Sequence, residues 1–242
     1  MKIIEKLNAR DKGQFTSPIP TIAFLGDSIT HGCFETFNLG DGKGTMSDCD
    51  SKAVYHNLVK EALLELFPRC GVNIVNAGIG GDKTEGALGR IEKDVLNKNP
   101  DLVVIMFGVN DAFSGGVEHA DIYKENLRKL FTMVQDAGSE VIFMTPPMMC
   151  TKVSHKLTDS MLREVAEGAA KVQNEGVLTL YVEKAREVAK ECGVPVAEVY
   201  DKWMKLHNSG VDVTSLMANY INHPSRNMHK LFAKAVLEAM FS

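Results

Sequence analysis

The segment Thr21-Ile22-Ala23-Phe24-Leu25-Gly26-Asp27-Ser28 joins an apolar run to a small polar turn. The apolar run is typical of a buried strand, and glycine followed by aspartate favours a turn at its end. In open α/β sheets, ligands bind outside the carboxyl ends of the strands. The segment therefore predicts a strand over Thr21–Gly26 that presents the hydroxyl of Ser28 at the functional edge of a sheet.

The rest of the chain alternates short apolar runs with longer helical patterns, which is typical of a parallel α/β fold. Further strands are predicted at Val72–Asn76, Leu102–Phe107, Val141–Thr145 and Val196–Val199. Helices are predicted at Ser51–Phe67, Thr84–Leu96, Ala120–Asp136, Ser160–Asn174, Leu178–Cys192 and Met228–Phe241. We expect one domain over residues 1–242, with an N-terminal extension at 1–20. A glycine-rich loop at 31–50, beside Ser28, is predicted to form a rim or lid.

Composition and charge exclude several classes of protein. A chain of 242 residues that is 45% hydrophobic suits one α/β domain, and its 27 basic against 31 acidic residues, without a basic block, predict no nucleic-acid partner. No apolar run approaches the roughly 18 residues of a membrane span, and charges within the first residues do not fit a signal peptide. We expect a cytoplasmic protein that acts on a small molecule. The oligomeric state is left open.

The five cysteines form an odd set without a CxxC motif or a His/Cys spacing typical of zinc sites. They are expected to be reduced thiols, most of them buried. Cys33 and Cys49 flank the glycine-rich loop and could pair, but a cytosolic compartment argues against a disulfide. The sequence therefore predicts neither a metal nor a cofactor.

Three strand ends and the segment before the last helix carry groups suited to acyl transfer. This chemistry needs a nucleophile, a base and donors for the oxyanion. Ser28 follows the first strand, and Gly81 lies in a turn after the second, where backbone N–H groups can approach a ligand. Asn110 follows the third strand and can donate through its side-chain amide, and His223 precedes the last helix.

These residues lie in four ordered blocks: Gly26-Asp27-Ser28, Gly81, Gly108-Val109-Asn110-Asp111 and His223-Pro224. With all four blocks in this order, the chain resembles the SGNH hydrolases, also called GDSL esterases/lipases, and the resemblance extends from Thr21 to Ala235. The resemblance implies a three-layer, flavodoxin-like αβα sandwich with a five-stranded parallel sheet of order 2-1-3-4-5. It also implies ester hydrolysis through an acyl-serine intermediate.

The resemblance assigns a role to each block. Ser28 is the nucleophile, and its own N–H, the Gly81 N–H and the Asn110 side-chain amide form the oxyanion hole. His223 is the general base and then the general acid toward the leaving alcohol. The residues around this histidine, 218–224, are similar to those of acetylesterase-like members, which implies a small acyl ester such as an O-acetyl group on a carbohydrate. A lysophospholipase or thioesterase, or a non-catalytic binding module with this fold, are the alternatives.

The sequence departs from the family at the residue that orients the histidine. Many members carry an acid three residues before it, where this chain has Tyr220. Three explanations are open: a backbone carbonyl of Asn219 or Tyr220 orients the imidazole in a Ser–His dyad, Asp212 reaches it from upstream, or catalysis is weak. We favour the dyad, because a carbonyl suffices to fix the tautomer.

Two apolar side chains are candidates for the substrate pocket. Phe113 follows Asn110, and Met148 follows the fourth predicted strand. Methionine offers adaptable apolar surface, although plain core packing explains Met148 equally well.

Overall fold

The computed structural model describes residues 1–40 and 42–242. Its strands, in chain order, are β1 (Thr21–Gly26), β2 (Cys33–Asn38), β3 (Thr45–Cys49), β4 (Asn73–Gly78), β5 (Leu102–Met106), β6 (Glu140–Met144) and β7 (Val196–Ala197). Its α-helices are α1 (Lys2–Lys12), α2 (Ser28–His31), α3 (Tyr55–Leu66), α4 (Thr84–Asp94), α5 (Val109–Gly115), α6 (Ala120–Asp136), α7 (Ser160–Asn174), α8 (Val177–Glu191), α9 (Tyr200–Asn208) and α10 (His229–Phe241). Short 3₁₀ turns lie at Leu96–Lys98, Val213–Leu216 and Arg226–Met228. No described helix is both long and apolar enough to cross a membrane.

The central sheet has five parallel strands in the order β4-β1-β5-β6-β7. Counted among the strands of this sheet alone, the order is the predicted 2-1-3-4-5, and the predicted flavodoxin-like α/β class is confirmed. Every residue of β5 is buried, and so is every residue of β1 after Thr21, because helices cover both faces of the sheet.

The strand β1 ends in a sharp turn that delivers Ser28 to the carboxyl edge. A β-carbon on Gly26 would lie 2.1 Å from the hydroxyl oxygen of Thr30, so this residue must be glycine for α2 to fold back so closely. Asp27 caps α2, since its carboxylate accepts a hydrogen bond of 2.9 Å from the backbone N–H of Ile29. Ser28 is therefore the first residue of the helix, and its position is fixed by the strand behind it.

The segment 1–20, predicted only as an extension, contains α1, which packs into the core. Ile3 and Leu7 are fully buried. At the start of the helix, the carboxylate of Glu140 accepts hydrogen bonds from the backbone N–H groups of Lys2 and Ile3 at 2.9 and 2.7 Å. A carboxylate at a helix N-terminus satisfies free N–H groups and complements the helix dipole. This segment thus belongs to the same core as the sheet.

The glycine-rich loop predicted at 31–50 contains the antiparallel hairpin of β2 and β3. Asp41, within this range, lies outside the described residues. The sequence did not predict this hairpin, because the apolar residues of its strands do not alternate with polar ones. The hairpin lies beside Ser28, and its role as a rim or lid stays a prediction.

Candidate active site

The hydroxyl of Ser28 and the imidazole of His223 meet at the carboxyl edge of the sheet. Ser28 Oγ lies 2.9 Å from Nε2 of His223, and Nδ1 of the same ring lies 3.0 Å from the backbone carbonyl oxygen of Phe34. A carbonyl oxygen only accepts hydrogen bonds, so Nδ1 carries the proton. The lone pair of Nε2 therefore faces the serine hydroxyl, which is the orientation that a general base needs.

The residues predicted to orient the imidazole, Asp212 and either Asn219 or Tyr220, are wrong. Asp212 does not reach the imidazole: its exposed carboxylate pairs with the ammonium of Lys152 at 2.8 Å, on a different part of the surface. The carbonyl that orients the ring comes from Phe34 of the hairpin, not from Asn219 or Tyr220. The arrangement is a Ser–His pair with a backbone carbonyl in the third position, and no described carboxylate bonds the ring.

An irregularity in the hairpin frees the Phe34 carbonyl for this contact. The β2–β3 ladder shifts register between Cys33 and Thr36, so the residues between them lie in a bulge. Arg226 holds this bulge in place: its guanidinium bonds Glu35 at 2.7 and 3.1 Å and lies 4.3 Å from the ring centre of Phe34. Since Arg226 closely follows His223 in the chain, the imidazole and the carbonyl are tied to each other.

The loop that carries His223 is organised by one side chain. The amide oxygen of Asn219 accepts hydrogen bonds from the backbone N–H groups of Ile221, Asn222 and His223, at 3.0, 3.0 and 2.9 Å. Tyr220 adopts a left-handed backbone conformation with φ of 57° in this turn. Asn219 therefore positions the histidine through the backbone, without touching its ring.

Burial dominates the acid–base behaviour of His223. Loss of water around the ring lowers its pKa from 6.5 to about 4, and the bond to the Phe34 carbonyl only partly opposes this. A carboxylate partner would raise the pKa, because an opposite charge favours the imidazolium. Without one, His223 is neutral, and so able to accept a proton, throughout the neutral range.

Three donors surround the space in front of Ser28. The N–H of Ser28 is at the first position of α2, where a helix offers no internal acceptor. Gly81 stands in the turn after β4 with φ of 74°, a backbone conformation that favours glycine, and it lines the same cleft. The side-chain amide nitrogen of Asn110 donates one hydrogen bond to the carbonyl of Asp82 at 3.0 Å, and its second hydrogen is available to the cleft. These are the three donors that the sequence predicts.

A buried arginine ties this side of the site together. Arg90 on α4 donates to the carbonyls of Gly26 at 3.0 Å and Ala77 at 2.7 Å, which lie at the ends of β1 and β4. It also forms a salt bridge of 2.6 Å with Asp82, the residue that follows Gly81 and accepts from Asn110. Sequence reasoning missed Arg90, because nothing in its local pattern distinguishes it from a solvated helix residue.

Two further buried carboxylates lie behind the site. One oxygen of Asp111 accepts from the backbone N–H and hydroxyl of Thr84 at 3.0 and 2.7 Å, which fixes the start of α4. Burial raises the pKa of Asp111, and raises that of Asp27 to about 7. Neither residue lines the cleft that holds Ser28, so both act as structural supports.

The cleft in front of Ser28 and His223 has a volume of about 500 Å³. Apolar side chains of Leu162 and Val165, both on α7, and of Ile221 form one part of its wall. Polar side chains form much of the rest: His31, Cys33, Thr36, Thr45, Ser47, Cys49, Asn110, Asn219 and Asn222. Most of these polar residues come from the hairpin and the His223 loop.

The predicted substrate-pocket residues do not line this cleft. Met148 is 1% exposed and packs in the core, so its assignment to the substrate pocket is wrong. An apolar residue just after a strand can face either the core or a pocket, and the sequence does not distinguish the two. Phe113 is 42% exposed and lies in a neighbouring groove that shares Val165 with the cleft. The residues that replace them, Leu162 and Val165, lie on a helix whose apolar stripe carried no distinguishing signal.

The hairpin also gathers a group that the sequence did not indicate. His31, Cys33 and Cys49 place their ligand atoms within 4.8 Å of one another, although no metal site was predicted. Cys33 and Cys49 are free thiols that face each other across the ladder, with their sulfurs 3.4 Å apart. The pairing follows from the register of β2 and β3, which the sequence spacing does not reveal.

Comparison with known proteins agrees with this geometry. Residues 24–231 match the family described as the GDSL-like lipase/acylhydrolase family. An acetylxylan esterase from Geobacillus stearothermophilus is 31% identical over 134 residues, which are 52% of this chain and 58% of that protein. The chain thus aligns with little more than half the length of that relative. The uncharacterized lipoprotein YqeF of Bacillus subtilis is 29% identical over 175 residues, covering 68% of this chain and 70% of the relative.

Among solved structures, the acetylxylan esterase Axe2 from Geobacillus stearothermophilus superimposes with a TM-score of 0.67. The superposition covers 91% of this chain and 94% of that one, at 23% sequence identity. At this identity the likeness concerns the fold.

Proposed function

The chain belongs to the GDSL-like lipase/acylhydrolase family, and we propose that it is a serine hydrolase that cleaves small carboxylic esters, O-acetyl groups on carbohydrates in particular. The observation that carries the proposal is the 2.9 Å contact between Ser28 Oγ and His223 Nε2 in a cleft that Gly81 and Asn110 also line. Nucleophile, base and oxyanion donors then face one reacting carbonyl.

In the acylation step, Ser28 Oγ attacks the carbonyl carbon of the ester while Nε2 of His223 takes the hydroxyl proton. The carbonyl oxygen becomes an oxyanion, which accepts hydrogen bonds from the Ser28 and Gly81 N–H groups and from the Asn110 side chain. The C–O bond to the alcohol then breaks, and the imidazolium returns its proton to the leaving oxygen. The products are an acyl-serine and a free alcohol.

In the deacylation step, a water molecule takes the place of the alcohol. His223 removes its proton, the hydroxide oxygen adds to the acyl carbon, and the same donors hold the second oxyanion. When the bond to Ser28 breaks, the proton passes from the imidazolium to Oγ. The carboxylic acid leaves, and the serine hydroxyl and neutral imidazole are restored.

The lining of the cleft supports a short acyl group and a polar alcohol. Three aliphatic side chains, Leu162, Val165 and Ile221, offer limited apolar surface, whereas hydroxyl and amide groups form most of the remaining wall. Such groups suit a substrate with several hydroxyls. The named acetylxylan esterase among the relatives supports the same class of substrate.

A fluorophosphonate probe tests the nucleophile. We expect stoichiometric labelling of Ser28 in the folded protein and none in Ser28→Ala, while Ser209→Ala, which removes an exposed serine after α9, labels normally. A folded wild-type protein whose Ser28 stays unmodified would support the alternative of a non-catalytic binding module.

A chain-length series of p-nitrophenyl esters, together with acetate release from acetylated xylo-oligosaccharides, tests the substrate. We expect the highest kcat/KM for acetyl esters. Activity that peaks at acyl chains of about eight carbons or more would instead support the lysophospholipase or thioesterase alternative, because each buried CH₂ contributes roughly 0.8 kcal/mol to binding in an apolar channel.

The cytoplasmic location stays a prediction. One curated relative, from Bacillus subtilis, is named a lipoprotein. Fractionation of cells that express the natural gene, with detection of the protein in the soluble and membrane fractions, checks the location directly.

A further inference from the structure

We propose that His31, Cys33 and Cys49 form a binding site for a thiophilic divalent cation of the zinc class at the mouth of the active-site cleft. These three side chains offer one imidazole nitrogen and two sulfurs, all within 4.8 Å of one another. Two cysteines and one histidine, with a fourth position open to solvent, are a known ligand set for zinc.

The separation of the sulfurs fits this coordination. Zinc–sulfur bonds of about 2.3 Å at a tetrahedral angle place two sulfur ligands about 3.8 Å apart. The sulfurs of Cys33 and Cys49 are 3.4 Å apart, so a small widening of the hairpin at this pair admits the ion. Because the ladder register opposes the two residues directly, their separation is set by the backbone.

The chemistry of the ligands selects the class of cation. Two sulfur atoms and one imidazole nitrogen make up the ligand set, with no carboxylate among them. Magnesium and calcium prefer oxygen ligands, whereas zinc binds thiolate and imidazole. When a zinc ion binds, two Zn–S bonds and one Zn–N bond form, and the two thiol protons pass to solvent.

An ion held by these three side chains would lie in the cleft where the ester binds. His31, Cys33 and Cys49 line the same cleft as Ser28 and His223. A hydrated cation there occupies space that the substrate needs, and its positive charge disfavours the imidazolium that forms during acylation. The bound ion therefore inhibits the enzyme; this clause rests on the proposed esterase function, whereas cation binding does not.

The binding test uses the full chain, reduced with a phosphine that leaves the thiols free. Zinc is titrated against a chromophoric chelator, and cobalt is added separately to record thiolate-to-metal charge-transfer absorption. We expect one zinc ion per chain and a cobalt charge-transfer band. Cys49→Ser and His31→Ala should each weaken zinc binding at least tenfold, and Cys49→Ser should reduce the cobalt band.

Cys192→Ser is the matched control, because this half-buried thiol follows α8 and lies outside the cleft. It should bind zinc as the wild type does. Absence of stoichiometric zinc binding, or equal affinity in Cys49→Ser and the wild type, would overturn the proposal. A Cys33–Cys49 disulfide that persists after reduction would overturn it as well, since its sulfurs are not thiolates.

Inhibition is measured separately, with each variant compared with its own metal-free rate. Zinc at saturation should lower the wild-type rate at least tenfold and leave Cys49→Ser much less affected. Stoichiometric binding without inhibition would overturn the placement of the ion in the substrate's path. If no ester is hydrolysed under any condition, the proposed function fails, and the zinc and cobalt titrations still decide the metal site.

Discussion

The two sides of the cleft are built from different interactions. The oxyanion side, which we define as Ser28, Gly81 and Asn110, is backed by the buried salt bridge between Arg90 and Asp82. The base side, defined as His223 with Phe34 and Asn219, makes its direct contacts through uncharged groups, one backbone carbonyl and one side-chain amide oxygen, and its charged pair, Arg226 with Glu35, lies behind the Phe34 bulge. The Arg90–Asp82 pair is largely buried, whereas Arg226 and Glu35 are exposed and their attraction is screened by water, so the oxyanion side is the more firmly braced.

On the base side, the group that orients the imidazole adds little electrostatic stabilisation of the imidazolium. The Phe34 carbonyl fixes the tautomer and direction of the imidazole, as a carboxylate would. It carries no net charge, so it stabilises the imidazolium less than an anion would. We therefore expect a site that is correctly assembled, in which the oxyanion donors supply a large share of the rate and the base works from a low pKa.

The largest effect is expected for His223→Ala, which removes the general base. In related serine hydrolase sites, loss of the base costs up to about 10⁶ in kcat; we expect at least about 10⁴ here. The measurement is the initial rate on p-nitrophenyl acetate. His207→Ala, an exposed histidine on α9, is the control and should keep its rate. A loss smaller than that of an oxyanion donor would contradict His223 as the base.

The next effect concerns the oxyanion side. Asn110→Ala should lower kcat by about 10²–10³, or about 3–4 kcal/mol of transition-state stabilisation, with a much smaller change in KM. Circular dichroism should show a folded protein. Asn208→Ala, at the exposed end of α9, is the matched control. If Asn110→Ala kept the wild-type kcat, its second amide hydrogen would not serve the oxyanion.

Replacement of Arg90 tests whether the brace matters for catalysis. Arg90→Lys keeps the charge but cannot reach two carbonyls and a carboxylate with one ammonium group. We expect kcat to fall by about tenfold, equivalent to about 1.4 kcal/mol, with KM little changed, because Gly81 and Asn110 shift relative to the oxyanion.

The exposed Lys93 on the same helix provides the control variant Lys93→Gln, which should behave as the wild type. A change in thermal stability of Arg90→Lys without any fall in kcat would mean that the arginine supports the fold alone.

The pH profile distinguishes a carbonyl from a carboxylate on the base side. Only neutral His223 can accept a proton, and burial lowers its pKa to about 4. We expect kcat/KM to stay level from pH 7 to about 5 and to fall through about pH 4. A midpoint above pH 6 would indicate an anion beside the ring and contradict the Ser–His pair.

Stability must be followed in the same range, because two more histidines are buried as neutral rings. Burial lowers the pKa of His56 to about 4 and that of His229 to about 3, whereas both titrate near 6.5 when unfolded. Below pH 6.5 the unfolded chain therefore binds more protons, and stability falls as the pH decreases toward these folded values. Fluorescence of the buried Trp203 reports whether the enzyme is still folded at each pH.

The smallest effect is expected for Asp212→Asn. Its carboxylate forms an exposed ion pair with Lys152, and such pairs contribute about 0–1 kcal/mol. We expect kcat within about twofold of the wild type. If kcat of the folded variant fell by several orders of magnitude, Asp212 would be the group that orients His223, and the base side would then contain a charged group as well.

Several elements could be read from the sequence because their signals are local. The strand Thr21–Gly26 and the helices Ala120–Asp136 and Ser160–Asn174 have the predicted bounds. The helix α1 had a usable signal in Ile3 and Leu7, spaced at one helical turn, and α9 had one in Tyr200 and Trp203. The hairpin had none, since the apolar residues of its strands, such as Phe34 and Phe37, do not alternate with polar ones.

The sequence alone indicated the family, because its ordered blocks depend on residue type, and through that resemblance it predicted the order of the sheet. The same blocks predict the site residues Ser28, Gly81, Asn110 and His223. Only the tertiary structure decided what orients the histidine. Every residue carries the same backbone carbonyl, so the amino-acid sequence does not distinguish the carbonyl of Phe34 from any other. The bulge that aims it at the imidazole, and the register that pairs Cys33 with Cys49, exist only in the folded chain.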